Sequence, residues 1–326
     1  MRYIFSILLS FFIIVEGLKG QDPQFTQFYS VPLYLGPSFA GATQQHRLST
    51  TYRRQWVALP GDFATFTAAY DQYVLKYNSG IGFMYIQDQA GSGKLGFKCL
   101  NVLYSYDITV KNTWHIRPGL SFIYSIYDIN FSKLVFNDQI RGGNNFSTSV
   151  ETSPSNEIRG NIDGAVSCLV YNERFWMGVT VDHLLRPNHS FYSEKSFVPL
   201  KYSIYGGYKV MSRSRLLKPA NESLSIAYLF KRQEDFNQLD AGVYWYSSPY
   251  VLGFWYRGIP PFNSDRGDAV AFLAGFKLPY ISIGYSYDFT VSNLLTSTAG
   301  AHEITLIYEF TTQRKKRIHA MPCPEF

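Results

Sequence analysis

Residues 280–288 read Y-I-S-I-G-Y-S-Y-D, and residues 303–310 read E-I-T-L-I-Y-E-F. In the first segment Ile281, Ile283, Tyr285 and Tyr287 alternate with Ser282, Gly284, Ser286 and Asp288. In the second, Ile304, Leu306, Tyr308 and Phe310 alternate mainly with Glu303, Thr305 and Glu309. Successive side chains of a strand point to opposite faces, so each segment has one apolar face and one polar or small face. The strands that hold them, 279–288 and 301–311, have the length a tilted strand needs to cross a bilayer, about 9–11 residues. Strands of soluble sheets usually run about 5–6.

The unit repeats upstream. Leu120, Phe122, Tyr124 and Ile126 alternate with Ser121, Ile123 and Ser125; Phe175, Met177, Val179 and Val181 alternate with Trp176, Gly178, Thr180 and Asp182. Leu224–Phe230 and Tyr250–Tyr256 show the same pattern. Fourteen candidate strands result: 47–57, 62–74, 79–87, 95–109, 113–127, 160–171, 174–182, 200–211, 222–231, 236–246, 249–257, 268–276, 279–288 and 301–311. Their connections segregate by parity. Long ones (88–94, 128–159, 183–199, 258–267, 289–300) alternate with short ones such as 75–78, 110–112, 172–173, 247–248 and 277–278, although 212–221 is long for the short side and 232–235 short for the long side. Short turns at one end and long loops at the other mark an outer-membrane barrel. The expected fold is all-β: a transmembrane antiparallel β-barrel of about 14 strands, with short periplasmic turns and long extracellular loops. One position strains this reading. Arg54 shares parity with Tyr52 and Trp56, and a lipid-facing Arg near the midplane would cost about 2–4 kcal/mol. Arg54 therefore lies near an interface, or the register shifts at a bulge, or the strand faces the other way.

Composition alone suits a barrel and a soluble all-β sandwich of this length equally. Only 17% of the 326 residues are charged, against roughly 25% on average, while Tyr and Phe number 26 each. A mean hydropathy of −0.11 excludes a helical membrane protein and suits a chain in which every second strand residue meets lipid. Residues 1–20 read as a secretory signal peptide, with Arg2 before an apolar run over Ile4–Val15 and Gly20 before Gln21. No cysteine follows that cut, which argues against a lipoprotein anchor. Losing Arg2, Lys19 and Glu16 removes a net +1, so the formal charge falls from +6 to +5. Residues 21–46 carry Pro23, Pro32 and Pro37 among Phe25, Phe28, Tyr29, Tyr34 and Phe39. Proline argues against a central strand, so this segment is expected to be extended or partly helical and to dock by its aromatics, as a plug in the lumen or under its rim. The barrel domain is then 47–311, and 312–326 a periplasmic basic tail.

Chemistry is sparse. His46, His115, His183, His189, His302 and His319 are scattered; His183 and His189 share a loop without a cysteine or carboxylate at ligand spacing. The sequence holds no G-x-S-x-G, H-E-x-x-H or phosphate-cradling glycine loop, so no enzyme, metal or cofactor is expected. A Ser, His and Asp converging in space stays open as an outer-membrane hydrolase. Cys99, Cys168 and Cys323 form no disulfide framework, though any one pair stays possible. The basic tail lacks interleaved aromatics and lies in the wrong compartment for nucleic acid.

Several stretches resemble one family. Residues 21–29 (Q-D-P-Q-F-T-Q-F-Y), 33–41 (L-Y-L-G-P-S-F-A-G), 52–56 (Y-R-R-Q-W), 284–288 (G-Y-S-Y-D) and 299–304 (A-G-A-H-E-I), with Pro322-Cys323-Pro324 ahead of Phe326, are similar to segments of PorP/SprF-type proteins of Bacteroidetes. Departures are Gly36 where Asn is usual, Ser38 where Ala is usual and Ala299 where Gly is common. The resemblance covers essentially the whole mature chain. It implies an integral outer-membrane barrel of the type IX secretion system and gliding machinery, without catalytic residues. Such a barrel would sit in outer-membrane lipid and help export or anchor large cell-surface proteins. Its partners would be secreted adhesin-like proteins outside and peptidoglycan-associated or ring components in the periplasm. The rival is a general porin or small-solute transporter. The tail has two readings. Arg314, Lys315, Lys316 and Arg317 follow the last strand, and Cys323 sits between prolines before Phe326; this is a solvated extension flanking the membrane, or a docking peptide for a periplasmic partner.

Overall fold

The computed structural model of the chain describes residues 22–310, except 59–60, 62, 92–94, 112, 137–138, 140–148, 150, 152, 155–156, 193–194, 214–221, 260–268 and 292–298. The strands are β1 (His46–Gln55), β2 (Phe63–Val74), β3 (Ser79–Ala90), β4 (Leu95–Tyr106), β5 (Ile108–Val110), β6 (Trp114–Asp128), β7 (Ile158–Tyr171), β8 (Phe175–Asp182), β9 (Lys201–Arg213), β10 (Glu222–Gln233), β11 (Phe236–Ser247), β12 (Tyr250–Ile259), β13 (Ala269–Lys277), β14 (Ile281–Thr290) and β15 (Ala301–Phe310). Neighbours pair antiparallel in sequence order. The sheet closes where β1 meets β15, from His46↔Phe310 to Gln55↔Ala301. β4 pairs with β6, and the short β5 continues β4 along β6 past Asp107. The closed wall therefore has fourteen staves, each boundary lying within three residues of the sequence expectation.

Closure joins the first and last strands, so the sheet does not end in two open edges facing hydrocarbon; at the mouth, where β7 outruns β8, residues 158–165 pair with β6 alone. The alternation then sorts side chains. Leu120, Phe122 and Tyr124 point out and are exposed, whereas Ser121 and Ser125 are buried. In the final hairpin Ile283, Tyr285, Ile304 and Leu306 point out; Ser286, Asp288, Glu303 and Thr305 point in. Arg54 does face outward, but it is the penultimate residue of β1, at the interface, where the cost of an arginine falls to about 0–1 kcal/mol. His46 and Phe310 lie at the end closed by the tight turns after β2, β5, β7, β11 and β13. That end is periplasmic by the barrel rule. The β10–β11 hairpin at the other end turns within two residues, Glu234 and Asp235. Cys99 and Cys168 are free thiols on β4 and β7.

Candidate functional site

The inward faces of the staves enclose residues 22–45 of the same chain, called the strap here. Its three prolines keep it out of the sheet. Instead it forms one short helix, α1 (Pro32–Leu35), and a 3₁₀ turn over Pro37–Phe39, each with proline at its start, where a missing N–H costs nothing. Phe25, Phe28, Tyr29, Leu33 and Phe39 are buried. Phe28 meets Trp255 edge-on with ring centroids 4.8 Å apart, Tyr29 meets Tyr244 at 4.3 Å, and Phe39 tilts onto Tyr205 at 5.4 Å. The strap backbone also lies directly on the wall. A Cβ added to Gly80 would sit 1.8 Å from the Ala40 carbonyl oxygen, and one on Gly119 would sit 2.3 Å from the Ser38 nitrogen. Glycine is required at both by close approach.

Charged groups lock the strap in three places. Near the loop-rich mouth, Glu303 accepts the Thr26 and Gln27 backbone N–H groups at 2.8 and 2.9 Å. Asp288 accepts the Thr26 hydroxyl at 2.7 Å. Arg53, 2% exposed, bridges the two carboxylates at 2.8 Å to Asp288 and 3.1 Å to Glu303, and also donates to the Thr26 hydroxyl. Arg257 adds a second cation 3.1 Å from Asp288. Arg257 also pairs with the buried Asp240 at 3.9 Å, so each buried carboxylate here has an arginine partner, which is what burial of charge requires.

Toward the periplasmic end, Arg117 is fully buried and paired with Asp107 at 2.9 Å. Its other donors reach the carbonyls of Ser38, at 3.1 Å, and Ala40. Asp107 also holds His115 at 2.8 Å. Gly41 N–H donates to Asp71 at 2.8 Å, and Arg47 donates to the Ser30 carbonyl at 3.0 Å. Between these ends, Ser167 accepts the Ser38 N–H and Thr180 donates to the Leu35 carbonyl, both at 2.7 Å.

The third lock holds the start of the strap at the mouth. Asp22 lies 2.6 Å from Lys201 and 3.0 Å from His183; Lys201 also pairs with Asp182 at 3.2 Å, and His183 with Asp163 at 2.7 Å. Burial opposes ionisation of Asp22, but Lys201 and His183 outweigh it and hold the carboxyl well below the usual range. Burial likewise opposes the charge on His183; Asp22 and Asp163 overcome it and raise the imidazole to about 9. For His189 the balance goes the other way: burial, together with the charge of His183, outweighs Asp22 and Asp163 and lowers it to about 4.

The residues that the sequence singles out for partner docking, Arg314, Lys315, Lys316, Arg317, Cys323 and Phe326, lie outside the described residues, as do 1–20. The locking groups Arg53, Asp107, Arg117, Asp163, Lys201, Arg257, Asp288 and Glu303 were not anticipated. The signal for them was present: each is an ionisable residue in or at the end of a stave.

The family model for the type IX secretion system membrane protein PorP/SprF matches residues 17–308. No curated protein matches the chain. Solved structures similar to it are bacterial barrels. They include the outer membrane protein Omp33 of Acinetobacter baumannii (TM-score 0.48, 9% identity, 83% of this chain and 100% of that one). The CymD monoaromatic hydrocarbon channel (0.47, 9%, 90% and 95%) and the toluene transporter TodX of P. putida (0.47, 8%, 85% and 92%) are others.

Proposed function

Because the chain belongs to the PorP/SprF family of type IX secretion system membrane proteins, and is thus an integral outer-membrane component of that system, we propose that it works as a closed, non-enzymatic barrel. In this reading it helps export or anchor cell-surface proteins of the adhesin or gliding type, binding partners at its two ends rather than passing solutes. The observation that carries the reading is the lumen, occupied by the strap and by ion pairs that hold it there. A general porin needs that space as water. The long loops 128–159 and 183–199 are the surfaces proposed for a secreted partner outside. The basic tail, with Arg314–Arg317 and Phe326, is proposed to dock on a peptidoglycan-associated or ring component in the periplasm; four cations there contribute about 1 kcal/mol each toward an acidic surface before screening.

The test is truncation after Gln313, read by pull-down from the native host. The expected result is a folded barrel that no longer recovers periplasmic secretion components and fails to support surface display. Retained partners and display would make the tail a solvated extension. Single-channel recording separates the porin reading, since a steady large conductance from the intact chain would exclude a closed barrel. A hydrolase would reveal itself by activity lost on one Ser or His substitution with folding intact.

A further inference from the structure

At the loop-rich end β8 stops at Asp182, and β7 continues beyond it with β6 as its one strand neighbour. Two hydrogen bonds give the direction of the backbone there. The Ile129 N–H donates to the Glu157 carbonyl on the β6 side, and the Leu184 N–H donates to the Gly164 carbonyl on the other side. Backbone groups alternate sides along an antiparallel strand. Residues 159, 161 and 163 therefore face β6, while Ile158, Gly160 and Ile162 turn their N–H and C=O groups to the open side. Among the described residues, no backbone hydrogen bond reaches those three from that side.

The chain that could cover this edge turns away from it. His183 and Arg186 have φ of 61° and 45°. Asp163 draws the loop inward, holding the His183 ring at 2.7 Å and the Leu185 N–H at 3.2 Å. His189 then packs on Tyr127 with ring centroids 4.0 Å apart, on the inner face of the wall. The open stretch also stands clear of hydrocarbon. β7 has 14 residues, and a crossing takes about 9–11. On the outer wall the exposed pair Lys98–Asp128, 3.4 Å apart, lies level with it: Asp128 opposes Ile158, and Lys98 is in line with Gly160 through Ile126.

Edges exposed to water are normally blunted by charge, proline or a bulge. The unpaired end of β9, beyond its last β8 partner Tyr208, follows that rule with Lys209 and Arg213. The β7 edge does not. Its outward residues are Ile158, Gly160 and Ile162, and the two isoleucines are 64% and 52% exposed. On its inner side Asn161 Nδ2 is a buried donor without a partner among the described residues.

We propose that Ile158–Ile162 binds an extended segment of the secreted partner by strand addition. The segment is apolar where it meets Ile158 and Ile162, and it carries a carboxylate or amide oxygen on the inner side toward Asn161. In this mode main-chain bonds give affinity and alternate side chains give specificity. A second copy does not fit. Standing upright in the same membrane, it is related by an axis along the membrane normal, so its β7 crosses this one at twice the strand tilt, about 70–90°. The assignment to a secreted partner rests on the reading of the loop-bearing end as the outer one.

The probe is a fluorescent heptapeptide, Thr-Val-Asp-Val-Thr-Val-Ser, measured by anisotropy on the full chain in detergent. One control has the same residues without alternation; the other is the alternating peptide fully N-methylated. The expected result is saturable binding of the alternating peptide, with both controls at least tenfold weaker. Gly160→Pro deletes an open-side N–H and spares the β6 ladder, so it should weaken binding at least tenfold, whereas Gly160→Ala should stay within threefold of the parent. Heat-modifiable gel migration of both variants should match the parent, and the peptide comparison on the unaltered chain decides the question even if a variant misfolds. Hydrogen exchange should be fast at the 158, 160 and 162 amides and slow at 159, 161 and 163, and the peptide should protect the first set. Slow exchange at the first set before peptide is added would mean that the chain's own loop covers the edge, which overturns the proposal. No saturable binding, equal binding of the N-methylated peptide, or an unaffected Gly160→Pro also overturns it. Intact cells separate the two readings: a peptide that binds the purified barrel but not cells supports strand addition and overturns the outward assignment.

Discussion

Glu303→Gln should loosen the strap without opening the wall. The carboxylate accepts two strap N–H groups, from Thr26 at 2.8 Å and Gln27 at 2.9 Å, and pairs with Arg53 at 3.1 Å in a site 1% exposed. A glutamine retains one acceptor oxygen; its amino group then points at an N–H, donor against donor. Arg53 keeps Asp288, which it shares with Arg257. Removing one partner of a buried pair costs about 3–5 kcal/mol, and each 1.4 kcal/mol is tenfold, so the population with residues 22–30 detached should rise by roughly two to three and a half orders of magnitude. Chymotrypsin reads this on the full chain in detergent, since Phe25, Phe28 and Tyr29 are buried in the closed state and cleavage tracks the open population when opening outpaces cutting. Adding Arg53→Gln removes the other half of the same pair, so the double variant should lose less than the sum of the singles. Cleavage of Glu303→Gln within threefold of the parent would refute the idea that this lock holds the strap.

Other outcomes follow from the same geometry. His183 is raised to about 9 from about 6.5 in an unfolded chain. Its ion pairs therefore contribute fully below about pH 6.5 and are lost as pH rises through about 9, on the order of 3 kcal/mol in all; the unfolding temperature should fall over that interval and His183→Gln should flatten the fall, whereas a flat parent profile would contradict the lock. Gly80→Val places a side chain on the Ala40 carbonyl, an overpacking cost of at least about 1–3 kcal/mol, so chymotrypsin should gain access after Phe39 while the barrel keeps its gel migration; unchanged access would show that the strap yields without detaching. Proteolysis of intact cells should nick 128–159 and 183–199, and nicking only after the outer membrane is permeabilised would invert the topology.

The wall was legible because a barrel writes its two faces into alternate residues, and parity survives even where a strand is short. Boundaries slipped by up to three residues where the pattern runs past the bilayer, as at Gln87–Ala90, whose polar ends carry no lipid signal. What the strap does inside was less legible. Its prolines and aromatics exclude a strand and demand burial, but they do not say which wall residue each will meet. Those contacts span more than 250 positions in some cases, such as Thr26 with Asp288 and Glu303, and no local pattern encodes them. The tail remains a reading from the residues alone.

Parity by itself does not separate a water-filled barrel from a filled one, because both place polar residues on the inner face. The separating feature is complementary charge on facing staves. Arg53 stands directly opposite Glu303 in the β1–β15 register, and Asp107 and Arg117 lie on staves joined by the β5–β6 turn. In an open lumen such pairs would be solvated and worth little. Here burial leaves their remaining hydrogen-bonding capacity to be satisfied by something other than water, and the strap supplies it: backbone N–H groups to Glu303 and carbonyls to Arg117. A main chain gives donors and acceptors at fixed spacing whatever its side chains are. The wall charges therefore specify that a peptide occupies the lumen, while the aromatics of 25–39 specify that it is this one.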